Sequence, residues 1–391
     1  MRILFVSPYD FSVAGGANEH IVQLEHQFRA MGHETRILAP TSTHVGEQDD
    51  GHIYRLGAAI PIPANGSMAR VTLSPLVINK VRQFLDREHF DVIHLHEPLA
   101  PMLPLAVLLF SKSANVGTFH AARTNNLFYL YTKAALDIFH GRLDANIAVS
   151  EAAREYADSH FPGHYEIVPN GVSLAQFSQD VQPLPDLMDG RKNILFTGRY
   201  NEPRKGFRYL IRAFPLVRDQ FPEARLIVVG QGDQERYERF LHQHDMHDVI
   251  FAGFTDPELK PRYYASADVF CAPSTGRESF GLVLVEAMAS GVPVVASAIP
   301  GYQGVITHGE TGLLVEPKDV QSLAMGLVRI LADTDFRNRV TTNALEHVRQ
   351  YDWERVAIRV KTVYELAIQS RATAAPRDTS RLAASLVTTD G

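Results

Sequence analysis

The 391 residues carry 38 Lys and Arg against 44 Asp and Glu, a formal charge of -6, and 45% of them are apolar. That length exceeds one ordinary core and fits two domains, while the apolar fraction excludes a disordered chain. The acidic balance argues against a nucleic-acid partner held by bulk charge, and the lone cysteine, Cys271, allows no internal disulfide and points to a reducing, cytoplasmic compartment.

The chain opens on Ile3–Val6, a continuous apolar run ending at Ser7, which suits a strand buried on both faces and is too short for a signal peptide. GGANEH follows, then a helical pattern from Glu19 to Met31, stopped by Gly32-His33, and a second strand at Thr35–Ala39; strand, helix and strand make a βαβ unit. Further strands are expected at Asp91–His96, Asn115–His120, Ala145–Val149 and Glu166–Val168. The longest apolar run, around Leu103–Phe110, reads as a buried helix or strand and falls far short of the ~20 residues that span a membrane. Gln179–Gly190, rich in proline and polar residues, reads as a linker after a first domain of 1–178. The pattern then restarts in a second domain of 190–351. Its strands are Asn193–Thr197, Arg225–Val229, Val249–Ala252, Val269–Ala272, Val292–Ala296 and Gly312–Val315, with a helix near Tyr209–Asp219. The tail 371–391 is rich in Ala, Thr and Ser and reads as disordered. The fold class is α/β, with two doubly wound, Rossmann-like domains. Ligands of such sheets bind beyond the carboxyl ends of the strands, so the cleft between the domains is the expected site.

Each motif follows a strand. Gly15-Gly16 would let a ligand approach the backbone at a helix start that favours anions, although a tight turn needs the same residues. Arg199 and Lys205, in GRYNEPRKG, are two cations beside a helix start and suit a diphosphate; Arg204 reads as solvent-facing. Gly230-Gln-Gly232 is not a dinucleotide fingerprint, because Glu235 occupies the third glycine position, and no GxxxxGK[ST] occurs in the chain. His94, His96 and Glu97 have the look of metal ligands but lack a convincing partner set, and Asp333-Thr-Asp335 reads as a helix cap, so no metal site is expected. His120 ends the strand NVGTFH, where a histidine is structural unless it faces a site.

ESFGLVLVE is the most informative stretch. Glu278 lies in the loop ahead of a helix from Leu282 to Ala289, and Glu286 lies inside that helix. From Gly281 to Glu286 the helix rises roughly 7.5 Å, at ~1.5 Å per residue, close to the separation of a sugar and a ribose flanking a diphosphate. The amides of Phe280, Gly281 and Leu282 at the helix start would meet the phosphates between them.

With GTFH, VPNGV at Val168–Val172 and GRYNEPRKG, these motifs resemble the retaining GT-B glycosyltransferases of family four over nearly the whole chain to about Ser370. PIPANGS at Pro61–Ser67 and HEPLAP at His96–Pro101 look most like the members that move mannose from GDP-mannose to phosphatidylinositol at the membrane surface. The resemblance implies that Arg199 and Lys205 hold the diphosphate, Glu278 the donor sugar and Glu286 the ribose. Gly16 would approach the distal phosphate, and Gly230 would line the nucleotide site. His120 would position the sugar, and Thr255, Asp256 and Lys260 would read the base. Tyr9, Asn18 and Ala121 fall at acceptor-binding positions. Front-face substitution would let the leaving phosphate take the acceptor proton, so no cofactor is required, beyond Mg2+ with the free diphosphate. The helical stretch 352–370 would cross back to complete the first domain, and the segment 61–87 would touch the inner face of the membrane.

The chain departs from those lipid-acting members on the acceptor side. Asn18 stands for a glutamine, Leu99 for an asparagine and Ala121 for a threonine, and Asn79 and Gln83 replace cations on the helix Leu76–Arg87. Each change weakens the case for a polyol headgroup on an anionic surface. A UDP-sugar-dependent transferase acting on diacylglycerol, a polysaccharide or a soluble glycan is the alternative, and a non-catalytic nucleotide-sugar-binding protein is the reading from another class. A dehydrogenase is excluded by the missing fingerprint.

Overall fold

Alternation along short apolar strands sets the layers. In the computed structural model, which describes residues 1–13, 15–42, 48–49, 51–64, 67–122, 127–238, 246–375 and 377, β1 (Arg2–Val6) sends Ile3 and Phe5 into one core and Leu4 and Val6 into another. Successive side chains leave a strand on opposite faces, so an unbroken apolar run needs cover on both. β10 (Lys192–Thr197) repeats the arrangement, with Ile194 and Phe196 in one core and Leu195 in the other.

The chain forms two compact units, Met1–Pro169 with Trp353–Gly391, and Asn170–Asp352. The first unit holds β1, β2 (Glu34–Thr41), β3 (Gln48–Asp49), β4 (Ile53–Ala64), β5 (Ser67–Thr72), β6 (Val92–His96), β7 (Ala114–Phe119), β8 (Ala145–Ala148) and β9 (Glu166–Ile167). Its sheet runs β3-β4-β2-β1-β6-β7-β8-β9, parallel from β4 to β9, with β3 and β5 antiparallel to β4. The second unit holds β10, β11 (Ala224–Val229), β12 (Val249–Gly253), β13 (Val269–Ala272), β14 (Val294–Ser297) and β15 (Leu313–Val315), all parallel in the order β12-β11-β10-β13-β14-β15. The order reverses between β10 and β13. Chains leaving those neighbours turn away in opposite directions, which opens a crevice at their carboxyl ends.

Several expectations from the sequence need correction. Of the two alternatives left open for the run Leu103–Phe110, the helix forms, with Pro104 in its first turn, where a missing N–H costs nothing. The hairpin of β4 and β5 escaped notice because its prolines, Pro61 and Pro63, argue against a strand; among the described residues β4 pairs there with β5 alone, an edge that tolerates them. Gln179–Gly190 does not behave as a free linker. Leu187 is buried in the second unit's core, its carbonyl accepts from the Asn193 amide at 2.8 Å, and Asp189 pairs with Arg225 at 3.0 Å. The start of the expected disordered tail is ordered: the last helix runs Trp353–Thr373, and Arg377 pairs with Asp144 at 2.5 Å. The remaining tail, from 378, lies outside the described residues.

That last helix belongs to the first unit. It buries Trp353, Val356, Val360, Val363 and Tyr364 against the face formed by Ile3, Phe5 and Val116. Tyr364 also supplies its hydroxyl to fully buried His94, Oη to Nδ1 at 2.7 Å, while His94 Nε2 meets Thr118 Oγ1 at 2.6 Å. Removing a partner from a buried polar group leaves its desolvation uncompensated. Tyr364→Phe should therefore lower the stability of the first unit by about 1–3 kcal/mol in urea unfolding; a change below ~0.5 kcal/mol would show that the bond is not holding the helix.

Candidate functional site

Two loops cross the carboxyl ends of β10 and β13. The first, Gly198–Gly206, contains a single turn of 3-10 helix, Pro203–Lys205, closed by Gly206 at φ +69°. A Cβ on Gly206 would lie 1.8 Å from the Pro273 carbonyl oxygen, so only glycine allows the loops to approach this closely. Thr275 N donates to the Arg204 carbonyl at 2.7 Å and ties the two loops together. The second loop carries Arg277, a non-glycine residue at φ +61°, directly before Glu278. Gly281 then takes φ +92° as the cap of helix Leu282–Ala289, with no side-chain hydrogen bond capping the helix start. The first-turn amides of such a helix have no partner within it and attract anions.

The loops bring five charges together. Glu278 Oε1 receives both Arg204 Nη1 at 2.5 Å and Lys205 Nζ at 2.8 Å. Arg204 Nη2 also reaches Glu202 Oε2 at 2.8 Å, and Arg199 Nη1 lies 3.4 Å from Glu202 Oε1. The sequence reading of Arg204 as solvent-facing is therefore wrong. Its side chain is 22% exposed against 48% for Arg199, and it stands between two carboxylates that are 10–11% exposed. The missed signal was the Pro203 to Gly206 punctuation, a tight turn to which helical periodicity assigns no outer face. Gly230, at the end of β11, lies against this loop: a Cβ there would be 2.1 Å from the Gly198 carbonyl oxygen.

Glu286 anchors a second cluster, one turn into the helix. Its carboxylate takes Lys260 Nζ at 2.5 Å on Oε1 and the Tyr264 hydroxyl at 2.8 Å on Oε2. Burial, and next the Glu286 charge, push the Tyr264 phenol well above its usual range, so it stays a donor. Lys260 thus stands beside Glu286, while Thr255 is half-buried and Asp256 exposed in the loop after β12. Phe280 is buried against Tyr351, and Leu282 is half-buried at the helix start.

The first unit gathers the remaining candidates around β1, β6 and β7. Gly16 opens the helix Gly16–Ala30 and is exposed. The Asn18 amide is buried, accepts from Ser7 Oγ at 2.8 Å, and donates to the carbonyls of Asp10 and Val13 at 2.9 and 3.1 Å. It ties down the loop after β1. Tyr9, half-buried, bridges to Val71, and Ala121, also half-buried, packs on the apolar core. His120 is half-buried at the end of β7, where its backbone N–H donates to Glu97 Oε1 at 2.9 Å and its Nε2 lies 2.9 Å from His96 Nδ1. His20, which sequence reading passed over, packs edge-on to both rings at 5.0 and 5.3 Å. Among the described residues, His20, His96 and His120 are the group whose geometry could hold a metal ion, with ligand atoms within 4.8 Å of one another. The set weighed from sequence, His94, His96 and Glu97, divides differently: His94 serves Tyr364 and Thr118.

Residues 14–176 match the family described as Glycosyltransferase Family 4, and residues 191–333 the one described as Glycosyl transferases group 1. A phosphatidyl-myo-inositol mannosyltransferase of Mycobacterium leprae (strain TN) is 40% identical over 370 residues, 95% of this chain and 98% of its own length. The chain belongs to glycosyltransferase family 4. A solved sucrose-phosphate synthase from Thermosynechococcus elongatus matches this glycosyltransferase with a TM-score of 0.78 and 24% identity, covering 94% of this chain and 99% of that one. Anabaena HepE, solved with UDP and glucose, matches with a TM-score of 0.72 and 21% identity over 93% and 99% of the two chains. These likenesses show the GT-B fold, two parallel-sheet α/β domains.

The histidine layer of the glycosyltransferase should make its first unit acid-sensitive. His94, His96 and His120 are held well below the ordinary histidine value of 6.5, first by burial and then by the neighbouring imidazoles. A depressed value means that the unfolded chain binds protons the folded chain refuses. Stability is thus fully present above pH ~6.5 and falls as the pH drops below it, at up to roughly 4 kcal/mol per pH unit for three such protons. Urea midpoints from pH 8 to 5 should decline steeply below 6.5; a flat profile between pH 7 and 5.5 would contradict this.

Proposed function

We propose that this glycosyltransferase moves mannose from GDP-mannose, with retention, to a lipid of the phosphatidylinositol class at the inner face of the membrane. The observation that carries the donor half is the group of three cations and Glu278 over the β10–β13 crevice, beside an uncapped helix start. Arg199 and Lys205 neutralise the diphosphate as it leaves, helped by the amides of Phe280, Gly281 and Leu282. Glu278 accepts from hydroxyls of the sugar, and Glu286, steadied by Lys260 and Tyr264, accepts from the ribose. Thr255 and Asp256 read the base, a carboxylate accepting from guanine N–H groups that uracil lacks. On the first unit, Gly16 meets the distal phosphate and His120 the sugar. The leaving phosphate oxygen takes the acceptor's proton, so the chemistry calls for no protein nucleophile and no cofactor; Mg2+ can accompany the released diphosphate. Support for mannose and for the lipid comes from the mannosyltransferase relatives.

The acceptor half has a rival. The Asn18 amide bonds its own loop, and Leu99, standing where the lipid-acting members carry an asparagine, is buried at 1% exposure, so both positions give a polyol weaker support. That favours diacylglycerol, or a polysaccharide or soluble glycan, with a UDP-sugar as the matching donor. Either lipid requires a surface contact. None of the described helices is long and apolar enough to cross a membrane, but the stretch 60–76 exposes Ile60, Met68, Leu73 and Leu76.

Calorimetry with GDP-mannose and UDP-glucose tests the donor. GDP-mannose should bind more tightly to the wild type, and Glu278→Ala should weaken it roughly 10–100-fold, the loss of charge-assisted hydrogen bonds. Preference for UDP-glucose would overturn the mannose reading, and binding of neither would overturn the donor site.

Cosedimentation tests the membrane contact. Vesicles containing phosphatidylinositol should retain the wild type, and Leu73→Asp with Leu76→Asp should reduce that retention at least about tenfold, since each buried leucine contributes roughly 1.5–3 kcal/mol. Equal retention of both would place the contact elsewhere.

A further inference from the structure

We propose that Arg204 is the positioning residue of the donor site: it is the counter-ion that lets Lys205 leave Glu278 for the diphosphate while keeping that carboxylate in place for the sugar. The inference rests on the donor reading above and deepens it.

The argument begins with charge. Lys205 is bound to Glu278 Oε1 and Arg199 leans on Glu202. Both cations assigned to the diphosphate are thus already partnered by carboxylates. A nucleoside diphosphate sugar brings two negative charges, and turning Lys205 and Arg199 toward it strips one cation from each glutamate. Two carboxylates that are only 10–11% exposed would then face an incoming dianion. Partly buried charge without a partner is strongly disfavoured. Arg204 removes the difficulty, because one guanidinium spans both acids: Nη1 on Glu278 at 2.5 Å and Nη2 on Glu202 at 2.8 Å. With Lys205 and Arg199 withdrawn, each carboxylate still has a cation.

Geometry fits the role. Arg204 and Lys205 both fall on Oε1 of Glu278, so they approach one side of the carboxylate. The Arg204 backbone is fixed from the opposite loop by the Thr275 amide at 2.7 Å, and Gly206 two residues on abuts Pro273. The guanidinium therefore has a fixed base from which to hold Glu278. A lysine cannot substitute, since an ammonium on a flexible stem is a point charge and lacks the planar fork that reaches two acids at once.

The test uses the full chain, with GDP and GDP-mannose as calorimetric probes, on wild type, Arg204→Gln, Arg204→Lys, Glu278→Gln and the double variant Arg204→Gln/Glu278→Gln. The ratio of GDP-mannose to GDP affinity reports the grip on the sugar, which a general loss of structure would not move selectively; thermal unfolding checks each fold. Arg204→Gln should weaken GDP about tenfold, because Lys205 stays with Glu278, and should also abolish most of the preference for GDP-mannose over GDP. Arg204→Lys should fail to restore either. The double variant should lose no more sugar preference than Glu278→Gln alone, since Arg204 acts on the sugar through that carboxylate. A wild-type ratio retained in Arg204→Gln, full rescue by lysine, or additive losses in the double variant would each overturn this inference and leave the donor reading standing. Failure of the wild type to bind either probe would overturn both. Should the glutamine variant unfold, Glu202→Gln, which frees Arg204 to lean wholly on Glu278, should keep the GDP-mannose preference; its loss would count against the inference.

Discussion

The Pro273 carbonyl oxygen occupies the place where a side chain on Gly206 would begin. The chemistry of the second unit depends on that contact. Strand order brings the ends of β10 and β13 side by side, but adjacency alone would leave their loops free to splay. A glycine in a left-handed turn lets one backbone press on the other, and the Thr275 amide locks the pair. Cations carried by one loop then meet a carboxylate carried by the other at hydrogen-bond distance, with little conformational freedom left to either. Fixing the two backbones in this way limits how far the charged side chains must move to exchange partners.

The charges that this contact gathers do little to hold the fold. A partly buried ion network is a weak source of stability, since desolvation offsets most of the attraction. Arg199, Glu202, Arg204, Glu278 and Lys205 alternate in sign and leave one net positive charge, a balance poorly suited to holding a fold and well suited to receiving a diphosphate. Glu286 follows a different logic. It lies deeper, on the helix itself, and Lys260 and Tyr264 saturate it from two sides. The two glutamates of one motif are thus unequal: one sits in an exchangeable network, the other in a fixed one.

Much of this was legible in the sequence, and the limits have physical reasons. The strands of both units are apolar runs bounded by turns, so period and length reveal them. The helix Leu76–Arg87 begins and ends where its amphipathic pattern does. Arg199, Lys205 and Glu278 could be placed together because each follows a strand and the topology rule carries all three to one edge. What sequence could not supply was the direction of individual side chains inside tight turns. Arg204 differs from Lys205 by one position, and only the loop-to-loop contact decides that both face Glu278. The hydrogen bonds of Asn18 were illegible for a related reason: an amide in a glycine-rich loop can face a ligand or satisfy the loop's own carbonyls, and composition does not distinguish the two. His20 is invisible to strand-end reasoning because it comes from a helix and meets His96 and His120 only through packing.

The histidine layer shows how the first unit reconciles polarity with burial. His94, His96, His20 and His120 lie ring to ring beside Phe5 and Trp353, where no isolated charge would be tolerated. Burial disfavours charge on His94, His96 and His120, and their partners are neutral, Tyr364 and Thr118 for His94 and a second imidazole for His96. His120 stands at the outer end of this layer, half-buried, with its backbone held by Glu97. Glu97 itself takes a left-handed φ of +49°, a conformation of the kind that persists where surrounding structure over-determines it. Left-handed backbone before Glu278 at Arg277 and at Glu97 behind His120 therefore occurs on both units, each next to a residue that the sequence singled out. In both places the backbone accepts an unfavourable turn that the surrounding hydrogen bonds and ion pairs hold in place.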